Sequence, residues 1–92
     1  MHIAACCLHY GQACFEGLKA FKAENGSIRV FRPTENANRL ISSCKRLCMA
    51  YPSEQIFMEA LERVVRDNAD YIPTAASGGS LYIRPLMIGS GP

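Results

Sequence analysis

Two apolar stripes at helical spacing, each fenced by prolines, constrain this chain more than any other feature. Ala37, Leu40, Ile41, Cys44, Leu47 and Cys48 recur at i, i+3, i+4 and i+7 and predict a helix over residues 34–49. Pro33 stands at its first position, where a fixed φ and a missing N–H do no harm. Pro52 then breaks the chain, and Ser53 is placed to cap a second helix. Ile56, Phe57, Ala60, Leu61, Val64 and Val65 form the expected buried face of that helix, and Asn68 and Pro73 mark its end. Glu59 with Arg63, and Glu62 with Arg66, are i,i+4 pairs in the favourable order on its exposed side.

Strands flank these helices. Residues 14–22 and 28–32 read as two strands joined by Asn25-Gly26, a strong turn signal because both residues tolerate positive φ. Residues 73–80 form a polar, Gly-rich loop, and a third strand runs from Leu81 to Ile88. Alternation puts Tyr82, Arg84 and Leu86 on one face of this strand and Leu81, Ile83 and Met87 on the other. Pro85 cannot donate to a ladder, so an edge or a bulge is expected there. The order strand, strand, helix, helix, strand gives an α+β fold: an antiparallel sheet with two helices on one face. The opposite face, carrying Tyr82 and Arg84, has nothing left in the sequence to cover it. That points to a partner domain beyond these residues.

Composition excludes several classes. The 92 residues make one domain, 1–92, with 49% hydrophobic and 20% charged residues, which argues against disorder. A chain this short buries only about two-thirds of its unfolded surface, so its core is modest. The net charge of +2 is too small to predict a nucleic-acid partner or a membrane. Arg29, Arg32, Arg39, Lys45 and Arg46 lean basic, as a solvated face does. No stretch reaches the roughly 18 apolar residues of a spanning helix, and no Lys or Arg precedes the apolar start, which makes it a poor signal peptide. The chain reads as soluble. Cys6, Cys7, Cys14, Cys44 and Cys48 show no Cys-x-x-Cys, and neither histidine has zinc-finger spacing. No metal site is expected. Cys44 and Cys48 read as small core residues rather than ligands, and reduced thiols fit the cytosol or a mitochondrial matrix.

A few residues carry chemistry. Arg39 lies one turn into the first helix, where it can hold an anion with paired donors or stand as a surface arginine. Arg84 sits within an apolar run and must meet either a buried carboxylate or an anionic ligand. Tyr10 and Phe15 flank Gly11 and precede Gly17, glycines that permit close approach of backbone or ligand; both aromatics also suit an ordinary core. Glu16 has no second carboxylate at a matching spacing, and Lys19 has no desolvated pocket around it. His2 and His9 belong to no recognised nucleophile motif, and no phosphate-binding glycine loop is present.

Three phrases carry a resemblance. His9-Tyr10-Gly11-Gln12 with Phe15-Glu16-Gly17-Leu18-Lys19-Ala20, then Phe31-Arg32-Pro33 with Asn36-Ala37 and Arg39, then Leu81-Tyr82-Ile83-Arg84-Pro85, follow one another in this order. Together, from about Leu8 onward, they resemble the branched-chain amino-acid aminotransferases, pyridoxal-phosphate enzymes of the class IV family. The resemblance implies the small N-terminal domain of fold type IV, with pyridoxal 5'-phosphate held between it and a larger domain. It implies that Arg39 contacts the cofactor phosphate. It implies that Tyr10, Phe15, Tyr82 and Arg84 line the substrate pocket, with Arg84 facing the distal carboxylate of glutamate.

The implied partners are branched-chain amino acids, glutamate and 2-oxo acids, in a homodimer. The implied compartment is the cytoplasm, or the mitochondrion. The lysine that holds the cofactor in this family lies in the larger domain, and Lys19, Lys22 and Lys45 do not match it. No catalytic residue is therefore expected in this chain, and the fragment by itself is expected to be inactive. Two other readings stand beside this one. One is a non-catalytic interaction module that pairs through its uncovered sheet face. The other is a relative acting on D-amino acids or aminodeoxychorismate.

Overall fold

A computed structural model describes residues 1–92. A single helical turn, α1 (Cys6–His9), precedes strands β1 (Ala13–Phe15), β2 (Leu18–Lys22) and β3 (Ile28–Val30). Helices α2 (Pro33–Arg46) and α3 (Glu54–Asp67) follow, then two short 3-10 turns, and then strands β4 (Leu81–Ile83) and β5 (Leu86–Ile88). Strand order is β3-β2-β4 in one antiparallel sheet and β1-β5 in a second. The architecture is the expected α+β one.

The expected long strands are each broken once, at a shared point. Phe15 pairs with Leu86 and Leu18 pairs with Ile83, so the register passes from one sheet to the other without a slip. Glu16 therefore faces Pro85, and Gly17 faces Arg84. Pro85 has no N–H to give, and across the break its carbonyl accepts from the Glu16 N–H at 3.0 Å. The strand predicted over residues 28–32 stops at Val30, because Arg32 turns into the left-handed region at φ 44° to launch α2.

Helix α2 starts at Pro33 as expected and carries Glu35 in its first turn and Lys45 and Arg46 in its last, matching the helix dipole. It ends earlier than the stripe suggests. Cys48 adopts φ 56°, its N–H donates to Lys45 O, and the Met49 N–H donates to Cys44 O at 2.9 Å. These two bonds make a Schellman exit with cysteine where glycine is usual. They turn Cys48 out to solvent while Cys44 stays buried. Ser53 caps α3 by accepting from the Ile56 N–H at 3.1 Å.

The core joins Leu18, Ala20 and Ile83 of the sheet to Ala37, Leu40 and Cys44 of α2, Phe57 and Leu61 of α3, and Ile72. Both helices thus cover one sheet face. The face predicted for α3 is only half buried. Ile56 is 58% exposed, Ala60 is exposed and Val64 is 44% exposed. They line an open groove of about 470 Å³ together with Pro52, Pro85 and Leu86. Phe57 and Leu61 reach the core, while Ile56, Ala60 and Val64 face the groove bordered by residues 81–87. Arg63 pairs with Asp67 at 3.9 Å rather than with Glu59, which accepts from Gln55 instead, and the Glu62–Arg66 pair forms as expected.

Candidate functional site: two arginines at one strand break

Glu16 and Gly17 sit where β1 gives way to β2, and each residue organises one arginine. Along residues 14–20 the even-numbered side chains point inward, so Glu16 points the same way as Leu18 and Ala20 and is only 8% exposed. A carboxylate placed there must be paired. It accepts from Arg39 Nε at 3.0 Å on Oε1 and from Arg39 Nη2 at 2.6 Å on Oε2. Asn36 Nδ2, one turn earlier on α2, adds a bond to Oε2 at 3.1 Å and reaches Gly17 O at 3.2 Å. Helical spacing puts Asn36 and Arg39 on one face, over the break. The Arg39 hydrogen bonds hold the Glu16 carboxyl below the ordinary carboxylate range, against the opposing effect of burial, with Asn36 adding to the lowering. The same contacts push Arg39 up. The Arg39 side chain stays 68% exposed, and its remaining N–H groups are not taken by Glu16.

Gly17 organises the second arginine. Tyr82 and Arg84 lie on the outer sheet face, as alternation predicts, and both are exposed. The Arg84 guanidinium lies 4.5 Å from the Phe15 ring centroid and 5.4 Å from that of Tyr82. Its Nε and Nη2 donate to Tyr82 Oη, each at 3.4 Å. No carboxylate pairs with it; the four ion pairs of the molecule involve other residues. Arg84 is thus a cation held by aromatic faces with its charge unanswered.

Tyr10 stands apart, 85% exposed on the turn after α1, and no hydrogen bond or ring contact ties it to either arginine. Lys19 lies across from Tyr82 in the register and is exposed. Lys22 donates to Ala69 O, and Lys45 lies over Tyr51. No group of three or more His, Cys, Asp or Glu side chains is arranged to hold a metal ion. Cys44 is buried beside Cys14, with sulfur atoms 3.5 Å apart, and burial pushes its thiol up to about 11, so it is an inert packing group. Sequence reasoning weighs Glu16 only as a possible acid or base, and misses its pairing with Arg39 and Asn36. The signal for Glu16 is there to read: an acid at an inward position of a strand requires a cation elsewhere in the chain.

The arrangement offers two guanidinium groups and aromatic surface, but no nucleophile or proton-transfer pair. No family model matches the chain. A branched-chain-amino-acid aminotransferase of Helicobacter pylori is 51% identical over 84 residues, which is 91% of this chain and 25% of the relative. The Haemophilus influenzae enzyme of the same name is 44% identical over 99% of this chain and 26% of its own length. The branched-chain amino acid aminotransferase of Escherichia coli superposes with a TM-score of 0.76 at 32% identity, over 98% of this chain and 28% of that one. A T.th. branched-chain amino acid aminotransferase, complexed with N-(5'-phosphopyridoxyl)-L-glutamate, superposes with a TM-score of 0.74 at 33% identity, over 96% of this chain and 27% of that one. The chain belongs with the branched-chain aminotransferases, matches the N-terminal part of their sequences, and spans about a quarter of their length.

Proposed function

We propose that this chain is the cofactor-phosphate and substrate-carboxylate wall of a branched-chain aminotransferase. In that enzyme a leucine, isoleucine or valine amino group is exchanged with 2-oxoglutarate, using pyridoxal 5'-phosphate. The observation that carries the reading is the pair of arginines that keep open donors at one strand break, each braced on the side away from solvent. Pyridoxal phosphate, when bound, supplies the electron sink for the bond changes at the amino-acid carbon. The residues present fit its phosphate and nothing else of it. Arg39 has N–H groups free beyond Glu16, and a guanidinium grips phosphate with paired donors. The three lysines of the site region are engaged elsewhere or exposed on the sheet, so the amine that holds the cofactor comes from outside these residues.

The other roles follow from charge. Arg84, without a carboxylate of its own, receives the distal carboxylate of glutamate or 2-oxoglutarate. Phe15, Tyr82 and Tyr10 present apolar ring surface to a branched side chain. Five unbridged cysteines suit a reducing compartment such as the cytoplasm. Among relatives of similar identity is a methionine aminotransferase of Arabidopsis thaliana, 47% identical over 88 residues. Methionine therefore joins leucine, isoleucine and valine among the apolar side chains to be tested.

The test is a hybrid enzyme in which Pro92 is joined to the remaining part of the Helicobacter pylori relative. It is expected to transaminate leucine with 2-oxoglutarate, while the 92-residue chain alone gives no turnover above free cofactor. Arg39→Ala in the hybrid is expected to lose cofactor on dialysis whichever substrate is supplied. Arg84→Ala is expected to lower the glutamate-to-leucine ratio of kcat/KM by at least about ten-fold. Full cofactor retention in the first variant, or an unchanged ratio in the second, refutes the corresponding role.

A further inference from the structure

Gly17 has no assigned role, yet it lies opposite Arg84 in the strand register and presents no side chain to it. The space is taken by Tyr82. A Cβ on Gly17 would sit 2.8 Å from Tyr82 Oη, 3.1 Å from its Cε1 and 3.3 Å from its Cζ. The hydroxyl end of the tyrosine ring therefore lies over the glycine, as an aromatic residue can when it covers a bare position diagonally across a strand pair. Lying there, it brings its hydroxyl to Nε and Nη2 of Arg84 and its ring to one side of the guanidinium, with Phe15 against another part of it. The backbone of Gly17 is not in the left-handed region, so conformational freedom does not explain the glycine. Clearance for Tyr82 does.

We infer that Gly17 is a specificity-determining position: its missing side chain lets Tyr82 lie across the strand break and hold Arg84 in place for the distal carboxylate of an acidic substrate. The inference rests on the reading of Arg84 as a carboxylate receptor. With a methyl group at Gly17 the ring must lift, its hydroxyl leaves Arg84, and the guanidinium keeps only Phe15. An exposed arginine held on one side spreads over several rotamers, and a carboxylate must then gather it at binding. A branched apolar substrate asks nothing of that cation. The loss thus falls on the acidic donor.

Two measurements decide it. In the 92-residue chain itself, the Arg84 side-chain protons are expected to be shifted upfield by both rings, and Gly17→Ala is expected to remove the Tyr82 share of that shift. An unchanged shift overturns the inference. In the hybrid enzyme, Gly17→Ala is expected to lower the glutamate-to-leucine ratio of kcat/KM about ten-fold. Tyr82→Phe is expected to lower the same ratio. The double variant is expected to fall no further than Gly17→Ala alone, because the lifted ring has already lost the hydroxyl contact that Tyr82→Phe removes. Equal losses for the two donors make Gly17 a purely structural residue, and additive losses separate it from Tyr82; either result overturns the inference. Arg84→Ala is the control. If it leaves the ratio unchanged, the carboxylate reading falls and this inference falls with it. If it lowers the ratio while Gly17→Ala does not, only the inference falls.

Discussion

Arg39 and Arg84 are held by neighbouring residues of the same strand break, yet by opposite physics. Arg39 is locked from behind by a nearly buried carboxylate that also accepts from Asn36. Its position is fixed by charge-assisted bonds, and its pair is close to neutral before any ligand arrives. Arg84 has no acid near it and is held by ring faces and two long bonds to a tyrosine hydroxyl. Ring faces place a cation without cancelling it. The first arrangement fits the proposed hold on a group that stays bound, and the second fits the proposed site that takes and releases a carboxylate.

Three changes test how far this contrast holds. The largest effect is expected from Leu40→Ala. Leu40 follows Arg39 on α2 and is 2% exposed in the core, so truncation costs about 2–5 kcal/mol. It should loosen the seat of Arg39 and leave the ring-shifted protons of Arg84 in place, read by urea unfolding and by side-chain NMR. Loss of both signals together would mean that the two sites are one cooperative unit.

Next comes Glu16→Gln, expected to cost about 1–2 kcal/mol near neutral pH through the lost charged bonds to Arg39. It carries a pH signature. The folded carboxyl titrates below its ordinary range, so its stabilisation is complete above the unfolded pKa and fades as the pH falls through the folded one. The unaltered chain should lose stability on acidification more steeply than the variant. Parallel curves would show that Glu16 contributes nothing beyond shape.

Smallest is Phe15→Ala. Phe15 is 56% exposed, and the cation–π contact it gives Arg84 is worth about 0.5–1 kcal/mol at such a site. Its visible result should be faster solvent exchange of the Arg84 Nε–H, with that of Arg39 unmoved. Equal acceleration at both arginines would erase the distinction between them.

Much of the fold is legible because local rules agree with one another. The stripes, Pro33, Ser53 and Asn25-Gly26 each mark an element boundary that the structure keeps. Where reading fails, a longer-range fact intervenes. Cys48 belongs to the apolar stripe by spacing, but the Schellman exit turns it outward. Ile56 and Val64 belong to the α3 stripe, but they line an open groove rather than the core. The segments 14–22 and 81–88 read as continuous strands, because nothing local shows that Gly17 and Pro85 break both at one level. In the candidate site, Arg84 stands out as a cation in an apolar run, and Arg39 by its place one turn into a helix. Glu16 does not, because its partners lie 20 and 23 residues away.

The sequence by itself determined where the two long helices and the main strands lie, which face of each strand looks inward, and that Arg84 needed a carboxylate or an anionic ligand while Arg39 could hold an anion or stand on the surface. Those are consequences of periodicity, turn chemistry and the cost of stranding a charge, and all act within a few residues. Only the tertiary structure decided which arginine receives an internal carboxylate and which is left open. That choice depends on the register that sets Gly17 against Arg84, and on the seat of α2 that carries Asn36 and Arg39 over Glu16. Both are fixed by core packing between segments far apart in the chain, so no local pattern could announce them.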